Sequence, residues 1–218
     1  NGIDLTFSKE EYSQFKYGKE SLAEQFALEL LARNWTSIST QINALNKEKV
    51  SIVVYGAPYN EILVASTILA NFFADFLNKM SRNIVVHTGK ISRQHSHHDD
   101  YGKMDATKRL ESLAGETFEF VTNPDEYDIA IFVDDIYITG AHETRVYSLI
   151  ERSNVKAKCV FMYYAKLEEN VAPPEFESEI NMCAIDTTDK IVEHFKQIFD
   201  DSDYEFNTRT VKFLLSQD

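Results

Sequence analysis

Apolar residues along this chain fall into short unbroken runs separated by longer stretches of mixed character. Residues 51–55, 83–88, 129–133 and 157–165 are such runs, too short for helices and rich in β-branched side chains. They suit strands buried on both faces, as in a parallel sheet. A further short strand is expected over 180–185. Helical patterns lie between the runs: 62–80, 105–113 and 143–150, then amphipathic segments at 190–199 and 207–215. Near the N-terminus, Ser21 followed by Glu24 reads as a capping box that opens a helix through Leu31. Residues 8–20 are polar with interspersed aromatics, and the turn 15–18 is expected to anchor an N-terminal arm or to pack over a ligand. Strands alternating with helices predict an α/β fold, a mainly parallel sheet flanked by helices.

Length and composition narrow the class. A chain of 218 residues with 44% hydrophobic and 26% charged residues fits one soluble globular domain. It opens on Asn rather than Met, so its true N-terminus is expected to lie upstream. Neither a signal peptide nor a membrane-spanning apolar stretch is visible. Cys159 and Cys183 lie in apolar runs without metal-ligand spacing, so buried free thiols in a reducing cytoplasm are expected. The formal charge of −13 excludes general nucleic-acid binding. Motifs exclude more. There is no Gly-x-Gly-x-x-Gly, no phosphate loop ending in Gly-Lys-Ser/Thr, and no Gly-x-Ser-x-Gly elbow.

The candidate chemistry gathers after the run 129–133. Asp134 and Asp135 come directly after it, then Thr139 and Gly140, then a segment able to form a helix. Ligands of open α/β sheets bind at the carboxyl ends of strands, and a loop feeding a helix N-terminus presents N–H groups to an anion. Carboxylates at a strand end accept hydrogen bonds from sugar hydroxyls, so a sugar phosphate would satisfy both halves.

This pattern of four apolar residues, two acids, three mostly apolar residues and Thr-Gly resembles the fingerprint of the type I phosphoribosyltransferases, over a core of about 50–165. The Ile-Thr-Gly-x-His-Glu form resembles a bacterial branch associated with tellurium-resistance gene clusters. The resemblance implies a site for phosphoribosyl pyrophosphate (PRPP). Asp134 and Asp135 would hold the ribose hydroxyls and act in catalysis. Thr139, Gly140, Ala141, His142 and Glu143 would hold the 5′-phosphate. His142 stands where the family usually carries Ser or Thr. Ala57, Pro58 and Tyr59 correspond to the pyrophosphate loop, where Ala57–Pro58 is the candidate for a cis bond, against an ordinary trans turn. Residues 90–103 occupy the place of the mobile catalytic loop, with Lys90, Arg93, Tyr101 and Lys103 as its contributors. His95, His97, His98, Asp99 and Asp100 have metal-ligand chemistry but no framing helical spacing, and a polar lid is the simpler reading. The segments 1–48 and 166–218 would assemble a small hood for the acceptor.

A polyanionic substrate on so acidic a chain requires charge compensation. Mg²⁺ arriving with the substrate is therefore expected, with no direct protein ligands assigned. Two functions are compatible with these residues: an Mg²⁺-dependent transferase moving a phosphoribosyl group from PRPP to an unidentified nitrogenous acceptor, or a non-catalytic sensor of a phosphorylated ribose on the same fold. A homodimer is compatible with either.

Overall fold

The computed structural model describes residues 7–94, 117–167, 176–199 and 207–216. Helix α1 (Lys9–Lys16) starts at Ser8, whose hydroxyl accepts the Glu11 N–H at 3.2 Å. A serine with a glutamate three residues later is the capping-box pattern. The N-terminal side-chain cap is thus found at Ser8, whereas α2 (Glu20–Ala44) is preceded by Lys19 without a side-chain cap and Ser21 lies inside the helix. Leu22, Phe26, Leu30 and Leu31 form the buried stripe of α2, at the spacing that puts residues three and four apart on one face.

The central sheet contains β1 (Val50–Tyr55), β2 (Ile84–Gly89), β5 (Ile129–Tyr137) and β6 (Lys158–Lys166). Its order is β2-β1-β5-β6 and every pairing is parallel. Between β2 and β5, β3 (Ile91–Gln94) and β4 (Thr117–Phe120) form a separate antiparallel pair. Crossovers run through α3 (Ala65–Met80) and α4 (Ala141–Arg152). Among the described residues, three helices come after β6: α5 (Phe176–Asn181), α6 (Thr188–Phe199) and α7 (Thr208–Leu215).

Strand alternation sorts the core into two layers. Ile52, Val54, Ile129, Ile131, Val133, Met162 and Tyr164 pack beneath α1, α2 and α3. Val53, Tyr55, Ala130 and Phe132 face the other way, onto Val146 and Leu149 of α4 and onto Ile91 and Phe118 of β3 and β4. On that second face Tyr55, Phe132, Phe161 and Tyr147 stack in a row, with centroids 5.1, 4.9 and 4.5 Å apart. The terminal segments meet each other: Asn207 donates to the Lys16 carbonyl at 3.0 Å, and Phe213 packs edge-on against Tyr17 at 5.7 Å. The 15–18 turn thus serves as an anchor, with Phe15 and Tyr17 buried. No helix among the described residues is long and apolar enough to cross a membrane.

Several expectations need correction. The strand expected over 180–185 is the end of α5 and a loop after it; Ile180 and Ile185 are still fully buried, so the apolar pattern is satisfied without pairing. The segment expected to begin a mobile lid instead opens as β3, with Arg93 opposite Phe118. The helix expected at 105–113, the cluster His95, His97, His98, Asp99 and Asp100, and the residues Tyr101 and Lys103 lie outside the described residues. Both cysteines are free but only partly buried, and Cys183 is not in a strand.

Candidate active site

β5 does not stop at Val133 but continues to Tyr137, so both aspartates lie within the strand. Adjacent strand residues point to opposite faces. Asp134 consequently joins the face covered by α4, and Asp135 joins the face covered by α1, α2 and α3. The fingerprint implies one shared task for the two acids on the ribose. The structure separates them, because the strand persists beyond its apolar run.

Asp135 is held by Lys16 at the end of α1, whose ammonium donates to Oδ2. The side chains keep 6% and 12% of their surface, so this is a buried ion pair. Its own Oδ1 accepts the Ile136 N–H at 2.8 Å. Burial is the largest influence on Asp135. Lys16 offsets it incompletely and the neighbouring Asp134 adds to it, leaving the carboxyl above its ordinary range. Sequence motifs do not mark Lys16 as a site residue. The Ser8 cap opens α1, which ends on this lysine.

Asp134 faces an open cleft. Gly56 and Ala57 line it from the β1–α3 loop, His142 and Glu143 from the first turn of α4, and Phe161 and Tyr163 from β6. His142 Nδ1 lies 2.7 Å from Asp134 Oδ2. Burial opposes charge on both groups, and their mutual attraction outweighs it. Asp134 is held below the ordinary carboxylate range, and His142 is raised above the ordinary imidazole range with a smaller contribution from Asp135. His142 keeps 37% of its side-chain surface, so water screens the pairing and shrinks its energetic weight.

The sign of the linkage is opposite for the two partners. Asp134 contributes stability above the ordinary carboxylate pKa that is lost as pH falls through its lowered value. His142 contributes stability below the ordinary imidazole pKa that is lost as pH rises through its raised value. Melting temperatures taken across about pH 5 to 9 should therefore fall on the alkaline side. His142→Gln should flatten that limb; an unchanged limb would mean the pair does not contribute.

Glu143 turns away from the helix start and accepts a hydrogen bond from the Tyr163 hydroxyl. Burial and then this carboxylate push the Tyr163 phenol well up, which keeps it a donor. Gly140 takes φ +71° immediately before α4. The backbone conformation there favours glycine, and a Cβ would also push on the Tyr137 hydroxyl, 2.4 Å away. Thr139 Oγ1 accepts the Ala141 N–H at 3.4 Å, and Thr144 donates to the Gly140 carbonyl at 2.9 Å. The start of α4 is thus a tight turn, with His142 as the side chain that reaches Asp134.

The β1–α3 loop closes the other side. Thr67 in α3 donates to the Ala57 carbonyl at 3.0 Å, fixing the loop to the helix. No cis peptide bond occurs among the described residues, so Ala57–Pro58 is trans, in place of the cis candidate. Tyr59 bridges in parallel to Ser92 of β3. Lys90 donates to the Asn60 carbonyl at 2.8 Å, and its ammonium lies 4.6 Å from the Tyr59 ring centroid. A cation is therefore carried to this loop from the turn between β2 and β3. Among the described residues no group of three or more His, Cys, Asp or Glu is arranged to hold a metal ion. Asp134 and Asp135 already have cationic partners. The described residues thus assign no protein ligand to a divalent cation.

Comparisons with known proteins bear on this geometry. The family model described as PRTase ComF-like matches residues 1–218. No curated protein matches. Matching solved structures include a hypoxanthine phosphoribosyltransferase from Staphylococcus aureus, 10% identical, covering 77% of this chain and 78% of that one with a TM-score of 0.32.

Proposed function

The chain belongs to the ComF-like phosphoribosyltransferase family, and from that premise we propose that it binds PRPP with Mg²⁺ and transfers the phosphoribosyl group to a nitrogenous acceptor. One observation carries this reading. Asp134, the first turn of α4 and the β1–α3 loop converge on a single cleft at the carboxyl ends of β1 and β5. In it, Asp134 accepts hydrogen bonds from the ribose hydroxyls, a task for which a carboxylate is the stronger acceptor. The N–H groups at the start of α4 and the His142 imidazolium hold the 5′-phosphate. Residues Ala57, Pro58 and Tyr59, with Lys90 beside them, face the pyrophosphate. Transfer breaks the bond from C1 to the pyrophosphate oxygen and forms one from C1 to the acceptor nitrogen, which loses its proton. Bound Mg²⁺ supplies neutralisation of the departing pyrophosphate. The protein's own contribution is positioning and fixed charge.

A second reading is favoured by the Lys16–Asp135 pair. With one of the two acids committed to α1, a single carboxylate is left for the ribose, which suits a sensor that binds without turnover. Calorimetric titration with PRPP and Mg²⁺, then pyrophosphate release with a panel of bases, separates the two. Binding is expected, and Asp134→Asn should weaken it by about tenfold or more. Binding without release for any base would select the sensor; no binding by the folded protein would sink both readings.

A further inference from the structure

Asn207 and Thr208 are neighbours in sequence that hold two distant parts of the chain. Asn207 is fully buried and caps α7, its Oδ1 accepting the Thr210 N–H at 3.1 Å. Serine, aspartate and asparagine cap helices about equally well. The amide adds a separate donor, and Asn207 Nδ2 gives it to the Lys16 carbonyl at 3.0 Å, across 191 positions of sequence. Thr210, also fully buried, donates its hydroxyl to the next carbonyl, that of Tyr17, at 3.3 Å. Thr208 turns the other way. Its N–H donates to the Leu63 carbonyl at 2.8 Å, and its hydroxyl lies 3.0 Å from the Ile62 and Leu63 carbonyls. One turn of helix thereby joins the end of α1 to the far end of the β1–α3 loop.

Both of those parts support the cleft. Lys16 directs its side chain to Asp135, whose own N–H donates to Asp134 Oδ1 at 2.9 Å. The β1–α3 loop places Gly56 and Ala57 on the lining. That loop is tied at Ala57 by Thr67, and at Tyr59 and Asn60 by β3 and Lys90, so the Thr208 contacts fix its remaining end. We propose that the first turn of α7 is a clasp. Asn207 and Thr208 are positioning residues, which set the cleft by holding the end of α1 and the β1–α3 loop in one arrangement. Hydrogen bonds suit this task because they are directional, and a buried group that loses its partner carries a desolvation penalty. Neither residue lines the cleft, so their effect on a ligand passes through Asp135 and through the loop. For ligands the inference rests on the proposed reading of the cleft; the clasp itself does not.

Hydrogen exchange on the full chain tests the clasp without a ligand. The Gly18 and Lys19 amides, bonded to the Phe15 and Gln14 carbonyls, report the turn that closes α1. The Tyr59 and Thr67 amides, bonded to the Ile91 and Val64 carbonyls, report the loop. Asn207→Ser keeps a helix cap and removes the donor to Lys16, whereas Thr208→Val removes only the hydroxyl. Each should accelerate exchange at both pairs of amides by about fivefold or more, with Val53 and Val54 of β1 unchanged. Thr208→Ser should keep the wild-type rates. The crossed effects decide. If Asn207→Ser accelerates only Gly18 and Lys19, and Thr208→Val only Tyr59 and Thr67, the clasp reduces to two independent contacts; no acceleration would remove it. Calorimetric titration with Mg²⁺ and either PRPP or ribose 5-phosphate then separates positioning from stability. The loop faces the pyrophosphate in the proposed reading, so Thr208→Val should lower PRPP affinity about threefold or more relative to ribose 5-phosphate. Thr208→Ser should restore the ratio. An equal loss for both ligands, or none, would overturn the positioning role. Absence of PRPP binding by the folded wild type would remove the reading of the cleft, and the crossed exchange effects would still decide the clasp.

Discussion

Replacing Lys16 with Met should remove about 3–5 kcal/mol of folding stability, the range observed when one partner of a buried ion pair is deleted. Lys16 and Asp135 keep 12% and 6% of their side-chain surface, so water cannot take over the abandoned charge. Methionine preserves most of the aliphatic stem and its packing beside the Tyr12 ring, which lies 5.7 Å from the ammonium. The loss then reports the charge and not a cavity. It should be largest at neutral pH. Asp135 already has a raised pKa, so its ionisation opposes folding and acid relieves the burden. As pH falls through the Asp135 pKa, the stabilities of variant and wild type should converge. Asp135→Asn leaves Lys16 buried without its anion and should cost a comparable amount, whereas the double variant should recover a large part. Urea denaturation of the four proteins closes the cycle. Additive single effects would show that the two residues do not act as a unit.

The same geometry alters the role expected of Asp135. On the far face of β5 its carboxylate is paired with Lys16 and does not line the cleft that Asp134 lines. Its substitution should lower ligand affinity only to the extent that α1 loosens. Asp134→Asn should do the reverse, changing affinity chiefly, with a urea-midpoint shift no larger than the water-screened His142 pairing supplies. The fingerprint alone does not contain this division, because two adjacent acids look equivalent in it.

β5 shows where periodicity stops being informative. Five consecutive apolar residues announce a strand buried on both sides, and that is what Ile129 to Val133 form. The end of the strand is not legible in the same way, because a carboxylate looks the same at a strand end or inside it. Pairing of Asp134 with Tyr163, Ile136 with Ala165 and Tyr137 with Lys166 on β6 keeps the strand extended. That pairing depends on a neighbour over twenty residues away. Glu143 presents a similar ambiguity. A negative charge at the start of a phosphate-binding helix looks unfavourable, and Tyr163 on β6 removes the side chain from that position. The 180–185 run fails as a strand for another reason: six apolar-biased residues fit a strand or a buried helix end equally well, and the flanking chain selects the helix.

Gly56→Ala should disable the cleft from the opposite side. A Cβ at this position would lie 2.4 Å from Thr67 Cα, 2.9 Å from Thr67 N and 2.8 Å from Thr67 Oγ1. Two of these are backbone atoms in the first turn of α3, so no rotamer change relieves the collision. Either the helix start or the β1–α3 loop must move. The loop is the weaker element, fixed at this point by the Thr67 hydroxyl on the Ala57 carbonyl. Overpacking of this kind costs about 1–3 kcal/mol, and the hydrogen bond, if broken, about 1 kcal/mol more. The functional effect should exceed the structural one. Gly56 and Ala57 form one wall of the space that Asp134 and His142 face, and a displacement of about 1 Å at a positioning element can reduce turnover by about a hundredfold. Thr67→Val serves as the comparison, because it deletes the hydrogen bond while leaving the glycine contact in place. We expect Thr67→Val to lose about 1 kcal/mol with modest weakening of PRPP binding, and Gly56→Ala to lose more stability and nearly all binding at a temperature where circular dichroism reports an intact fold. Equal effects of the two substitutions would assign the loop's position to the hydrogen bond alone, and the close approach of Gly56 to α3 would then have no functional consequence.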